Sequence, residues 1–141
     1  MVNYCVYQDR CHKEVEQKFR DFLLIPEAKD EIILYLIKEN YLNEERFTRS
    51  YIRGKFYQKN WGRTKIMGQL KFKGISQKLI NNCMNEIDEY DYEETIKKLY
   101  KQHFELQKGG RDYMKHQKTV KFLLGKGYEF EIILNVKQNY F

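Results

Sequence analysis

The side chains that could do chemistry in this sequence fall into three groups: carboxylates, a few cysteines and histidines, and a block of cations. Carboxylates gather at Asp88, Glu89, Asp91, Glu93 and Glu94. Paired carboxylates can act as general acid and base. Here they sit beside a helix start, where the macrodipole favours negative charge without any catalytic role. Cys5, Cys11 and His12 lie close in sequence, but no second ligand pair follows at zinc spacing. His103 and His116 stand alone. There is no phosphate-cradling glycine loop, no nucleophile elbow and no His-Glu-x-x-His run. No catalytic residue, metal or cofactor is therefore expected.

The cations are distributed differently. Between Glu45 and Glu86 there is no acidic residue, yet the segment holds Arg46, Arg49, Arg53, Lys55, Lys59, Arg63, Lys65, Lys71, Lys73 and Lys78. The chain has 26 Lys+Arg and 20 Asp+Glu, so everything outside this block is net acidic. Charge needed only for solubility would be spread out. Segregated charge makes a local positive field suited to a polyanion or an acidic protein face. Arginines in a row offer planar forks for phosphate or carboxylate. Interleaved aromatics, Phe56, Tyr57 and Trp61, could stack on bases, although packing between elements is the favoured reading for Trp61. The competing reading of each single cation is a solvated side chain lying over apolar neighbours. Arg46 and Lys65 are also candidates for structural ion pairs.

These residues need a scaffold, and the sequence indicates helices. With 141 residues, 42% hydrophobic and 33% charged, the chain is one domain or a few small repeats. It is too apolar for disorder and too charged for a membrane protein. No apolar run approaches a membrane span, and Met1 to Arg10 lacks a signal-peptide core. Three cysteines without paired spacing fit free thiols. A cytoplasmic location is expected. A single proline, Pro26, and long Lys-, Glu-, Gln-, Leu- and Ile-rich stretches predict an all-α chain. Eight helices can be placed. The first covers Gln8 to Phe22. The second starts near Pro26 with Ile32, Ile33, Leu36 and Ile37 on one face and ends at the turn Asn40-Tyr41-Leu42-Asn43. Asn43 caps a third over Glu44 to Lys59, and Gly62 opens a fourth that buries Ile66 and Leu70 and stops at Gly74. Ser76 caps a fifth. Asp91 with Glu94 forms the capping box of a sixth. The seventh carries Val120, Phe122, Leu123 and Leu124 to Gly127, and the eighth buries Phe130, Ile133 and Val136. At about 100° per residue, the third helix places Phe47, Ser50, Tyr51 and Gly54 on a core arc. Arg46, Arg49 and Arg53 form one basic strip, Lys55 and Lys59 a second, with Ile52 and Phe56 between.

Lys73-Gly74-Ile75 returns as Lys126-Gly127-Tyr128, and Gly62-Arg63 returns as Gly110-Arg111. This predicts tandem three-helix repeats of roughly 45–50 residues, with limits near 4–60, 61–108 and, for a partial third, 109–141.

The order of motifs resembles a known family. Tyr4-Cys5-Val6-Tyr7-Gln8-Asp9-Arg10-Cys11-His12-Lys13-Glu14-Val15 is similar to the opening of RecX proteins, the bacterial regulators of the RecA recombinase. So are Tyr41-Leu42-Asn43-Glu44-Glu45-Arg46-Phe47, Tyr51-Ile52-Arg53-Gly54-Lys55, Trp61-Gly62-Arg63, Leu70-Lys71-Phe72-Lys73-Gly74-Ile75 and Lys121-Phe122-Leu123-Leu124-Gly125-Lys126-Gly127-Tyr128. Gly125 departs from the large residue common at its place. The resemblance implies tandem three-helix repeats forming an elongated, curved helical array. It also implies binding to the RecA–single-stranded DNA filament, with inhibition of ATP hydrolysis, strand exchange and the co-protease activity of the SOS response. It supplies no catalytic residues. The expected contact surface is Arg46, Arg49, Arg53, Lys55, Lys59, Arg63, Lys65, Lys71 and Lys73, on a chain expected to act as a monomer. The alternative is a single-stranded nucleic-acid-binding module with no recombinase partner. A third reading is a repeat protein for an acidic partner unrelated to DNA.

Overall fold

A computed structural model describes residues 1–22 and 24–141. Among them are nine α-helices and no strand: α1 Val2–Tyr7, α2 His12–Lys18, α3 Pro26–Lys38, α4 Glu44–Arg53, α5 Arg63–Phe72, α6 Gln77–Cys83, α7 Glu89–Leu106, α8 Asp112–Gly125 and α9 Phe130–Tyr140. No helix among the described residues is long and apolar enough to cross a membrane.

Several helix starts follow from their caps. The Asn43 side chain accepts the Arg46 N–H (3.0 Å), and Ser76 accepts that of Leu79 (3.2 Å), which satisfies amides that have no partner inside the helix. Pro26 is the first residue of α3. At α7 the cap is Asp88, which accepts the Asp91 N–H (3.0 Å). The expected box from Asp91 is thus displaced by three residues. The expected first helix, Gln8 to Phe22, is also revised. The chain is helical before Gln8, extended at Gln8 and helical again from His12. Glu14 accepts the Cys11 main-chain N–H (3.2 Å) and closes the start of α2.

The core face of α4 differs from the expected arc. Phe47, Thr48, Ile52 and, beyond the helix, Phe56 are buried, while Ser50 is exposed. Thr48 can turn inward because its hydroxyl donates to the Glu44 carbonyl (2.7 Å), so no polar group is left unpaired. Past Arg53 the chain widens into a π turn, Gly54–Gln58, which resets the periodicity and sends Phe56 into the core. A buried threonine recurs on α8. Thr119 donates to the Lys115 carbonyl (2.8 Å) and is buried with Leu123, while Phe122 and Leu124 are exposed. Phe130 is exposed as well, whereas Ile133 and Val136 are buried as expected. On α3 Leu36 is buried but Ile37 is exposed.

Three helices end in one motif. Asn40 (φ 60°), Gly74 (φ 84°) and Gly127 (φ 95°) are left-handed. The next residue donates its N–H five residues back: Tyr41 to Leu36, Ile75 to Leu70, Tyr128 to Leu123. The left-handed residue itself donates three back, to Ile37, Lys71 and Leu124. This is the Schellman closure. It occurs at the ends of α3, α5 and α8.

The chain forms two compact units. The first comprises Met1–Ile52 and Gln69–Met84. Its N-terminal part packs Cys5, Val15, Phe19, Leu36 and Leu42 together. The second comprises Arg53–Gly68 and Asn85–Phe141. At its centre Tyr92 lies 5.6 Å from Phe56 and 5.3 Å from Tyr128, ring centre to ring centre. Both buried phenols are satisfied: Tyr92 donates to Glu129, and Tyr128 donates to the Asn60 carbonyl (2.8 Å). Here Gly62 meets the end of α8 backbone to backbone. Its N–H donates to the Lys126 carbonyl (2.8 Å), and the Thr64 N–H donates to that of Gly127 (2.9 Å). A Cβ at Gly62 would collide with the main chain of Gly127 and Tyr128.

Candidate functional site

Of the nine expected contact residues, Arg46, Arg49, Lys71 and Lys73 belong to the first unit. Arg46 is committed internally. Its Nε donates to Asp9 (2.6 Å), and its terminal nitrogens donate to the carbonyls of Asn40 (3.0 Å) and Tyr41 (3.3 Å). The guanidinium therefore fastens the segment that follows α3. Arg49 pairs with Glu45 one turn back (3.2 Å) and also reaches the Asn82 carbonyl (3.4 Å). Glu45 is mostly exposed. Lys73 stands 3.8 Å from Glu14 and above the Tyr51 ring. Lys71 is exposed and forms no ion pair among the described residues. One cation outside the acid-free block joins this group. Lys13 donates to the Phe72 carbonyl (2.8 Å) and lies 4.5 Å over the Phe72 ring, which is 73% exposed. Lys13 stands among carboxylates in the sequence, so charge segregation could not single it out.

The second unit holds Arg53, Lys55, Lys59, Arg63 and Lys65. Arg53 is half-exposed and pairs with Glu86 (3.0 Å). Lys55 and Lys65 both lie over the Trp61 ring, at 4.8 Å and 4.2 Å from its centre. Two residues ten apart in sequence thus bring positive charge to one aromatic ring. Lys59 is exposed with no ion pair among the described residues. Arg63 is a structural residue. It bridges Glu89 (2.7 Å) and Glu129 (3.3 Å), its side chain is 17% exposed, and it covers the Tyr92 ring at 3.9 Å. Burial is the largest single influence and opposes its charge, but the bond to Glu89 together with the charges of Glu89, Tyr92 and Glu129 outweighs it and holds the guanidinium pKa above its ordinary value. Burial likewise pushes the Tyr92 phenol up, and its bond to Glu129 adds to the shift.

The aromatics divide too. Phe56 is buried and unavailable for stacking. Tyr57 is half-exposed, with its hydroxyl donating to Asp91 (2.8 Å), a bond that raises its pKa. Trp61 is half-buried between cations rather than within the core.

Energetics separate the cations. A fully exposed ion pair is worth only about 0–1 kcal/mol; the Arg49–Glu45 and Arg53–Glu86 pairs are each exposed on one side, with Arg49 at 28% and Glu86 at 21%, and sit between that limit and a buried pair. Lys59 and Lys71 have no ion pair to give up. Arg46 and Arg63 would lose charge-assisted bonds that organise the fold. Among the described residues no group of three His, Cys, Asp or Glu side chains is placed to hold a metal ion. Cys5, Cys11 and Cys83 are buried and form no disulfide among the described residues, and burial raises the pKa of Cys5 and Cys11.

Two family models match this chain: RecX, second three-helix domain, over residues 43–84, and RecX, third three-helix domain, over residues 89–136. Similar proteins include the regulatory protein RecX of Clostridium perfringens strain 13, 28% identical over 124 residues, covering 86% of this chain and 58% of that protein. The regulatory protein RecX of Streptococcus uberis is 27% identical over 138 residues, covering 96% of this chain and 52% of its own length. The chain thus spans little more than half of these relatives. The crystal structure of RecX from Lactobacillus salivarius superposes with a TM-score of 0.88 at 27% identity, over 97% of this chain and 89% of that one.

Proposed function

The chain belongs to the RecX family, and from that premise we propose that it is a non-enzymatic negative regulator of RecA recombinase filaments. It binds the RecA–single-stranded DNA filament and slows ATP hydrolysis, strand exchange and co-protease activity, which places it in DNA repair and the SOS response. The observation that carries this reading is the acid-free block with its ten cations. A filament presents phosphate and acidic protein surface, and both attract such a block. Arg49, Arg53, Lys55, Lys59, Lys65, Lys71 and Lys73 make the contacts. Arg46 and Arg63 maintain the fold that presents them. Occupancy of the filament hinders subunit addition or the conformational cycle that growth requires.

The test is a titration into preformed filaments, following ATPase and filament length together. Wild type lowers both. Arg49→Glu/Arg53→Glu and, separately, Lys59→Glu/Lys71→Glu abolish the effect with the helical circular dichroism intact. Unchanged inhibition in both variants refutes the assignment. Salt-sensitive binding to bare single-stranded DNA without any effect on recombinase ATPase would replace it with the direct nucleic-acid reading.

A further inference from the structure

A second cationic feature lies outside the acid-free block. The end of α7, the Gly109-Gly110 turn and the start of α8 enclose a hollow of about 530 Å³, within the size range of small-ligand sites. Four lysines line it, Lys108, Lys115, Lys118 and Lys121, and no carboxylate does. None of the four forms an ion pair among the described residues. The Lys115 ammonium lies 5.7 Å from the Phe104 ring centre beside the hollow, and like charges lining one hollow with no counter-charge among its lining residues favour an anion there.

The hollow is not only charged. His103 and Phe122 are stacked at 4.3 Å with their planes 13° apart, and both line it. Gln107 bonds the His103 ring, the Thr119 hydroxyl and the Lys115 carbonyl, which fixes the floor beneath the stack. At the rim Gly109 and Gly110 are left-handed. The main-chain N–H groups of Lys108, Gly109 and Gly110 donate to nothing among the described residues, so they are further donors for an anion.

We infer that this hollow seats one nucleotide, with its phosphate against the lysines and the glycine turn and its base against the Phe122–His103 stack. A bare anion would need the cations but not the rings. An apolar ligand would need the rings but not four lysines. A nucleotide uses both. It can come from two sources, a free mononucleotide or one unit of a single strand. The inference does not rest on filament binding, since none of its residues belongs to the acid-free block and its test contains no recombinase.

The test uses the full chain with three probes: inorganic phosphate and 5′-AMP by calorimetry, and a labelled oligothymidylate by anisotropy. Lys118 and Lys121 are exposed, so Lys118→Glu/Lys121→Glu keeps the fold, which circular dichroism verifies. This variant weakens binding of phosphate and of at least one nucleotide probe by tenfold or more. Phe122→Leu keeps apolar volume but removes the ring. It weakens nucleotide binding by about fivefold or more, from the stacking contribution of one base, and leaves phosphate unchanged. Losses confined to 5′-AMP identify the free nucleotide as the source, and losses confined to the oligomer identify a strand; either supports the site. Wild type that binds neither nucleotide probe overturns the inference, as do variants that bind like wild type. A charge-reversal effect with Phe122→Leu silent also overturns it, in favour of a site for a bare anion.

Discussion

Replacing Gly62 by alanine adds one methyl group, and its cost follows from the packing in the second unit. The new carbon would overlap the main chain of Gly127 and Tyr128. Backbone cannot swing aside as a flexible side chain can, so the start of α5 and the end of α8 must separate. Overpacking of this kind costs about 1–3 kcal/mol. Separation also weakens the Gly62–Lys126 and Thr64–Gly127 hydrogen bonds, each worth about 0.5–1.5 kcal/mol. The expected total is about 3 kcal/mol, a large share of the roughly 5–15 kcal/mol that holds a domain together. With a urea slope of about 2 kcal/mol/M, the unfolding midpoint falls by about 1.5 M. Trp61, the only tryptophan of the chain, adjoins the site and reports the transition by fluorescence. Gly68 is the control. It lies within α5, is exposed, and has nothing within 4 Å of its would-be Cβ. Gly68→Ala should raise stability by about 0.5–1 kcal/mol, because it only removes the cost of glycine in a helix. Opposite signs at two glycines six residues apart are required. An unchanged midpoint in Gly62→Ala, or shifts of one sign in both, refutes the close-approach argument.

Two further predictions concern charge. Arg63→Met keeps the stem over Tyr92 but leaves Glu129 without its cation. As the Arg63 side chain is only 17% exposed, the loss is about 3 kcal/mol by urea unfolding; a loss under about 1 kcal/mol would class it with surface pairs. His116 has a pKa below its ordinary value through burial and then Lys137, with Asp112 opposing. The unfolded chain therefore takes up this proton more readily than the folded one, so the contribution is complete above about pH 6.5 and is lost as pH falls below it. Comparing midpoints on both sides of that pH for wild type and His116→Gln checks this, since the substitution should flatten that part of the profile.

Legibility in the sequence depended on how local each determinant was. The all-α class, the starts at Pro26, Asn43 and Ser76 and the stops at Gly74 and Gly127 were readable, because each follows from the chemistry of a few adjacent residues. The stop at the Asn40-Tyr41-Leu42-Asn43 turn was readable as well, although there Asn40 takes the left-handed position that glycine takes in the other two. The inward faces of α4 and α8 were not. Thr48 and Thr119 count as polar in any periodicity, yet a hydroxyl bonded to its own helix four residues back can be buried without penalty. Cysteine at the start of α2 offered no conventional cap signal, so the break at Gln8 went unread.

The acid-free block was evident from residue order alone, because charge segregation is a property of composition along the chain. Its division into roles was legible only in part: Arg46 was expected as a structural ion-pair partner and is one, Lys65 was too but lies over Trp61, and Arg63 was not singled out. Arg46 finds Asp9 across 37 residues and Arg63 finds Glu129 across 66, and no local rule anticipates either partner. The sequence by itself determined that this chain is helical, that its cations are concentrated, and that its motifs follow a RecX order. Only the tertiary structure decided which cations are tied into the fold, because a charge is defined by its neighbours in space, and folding brings those neighbours from distant parts of the chain.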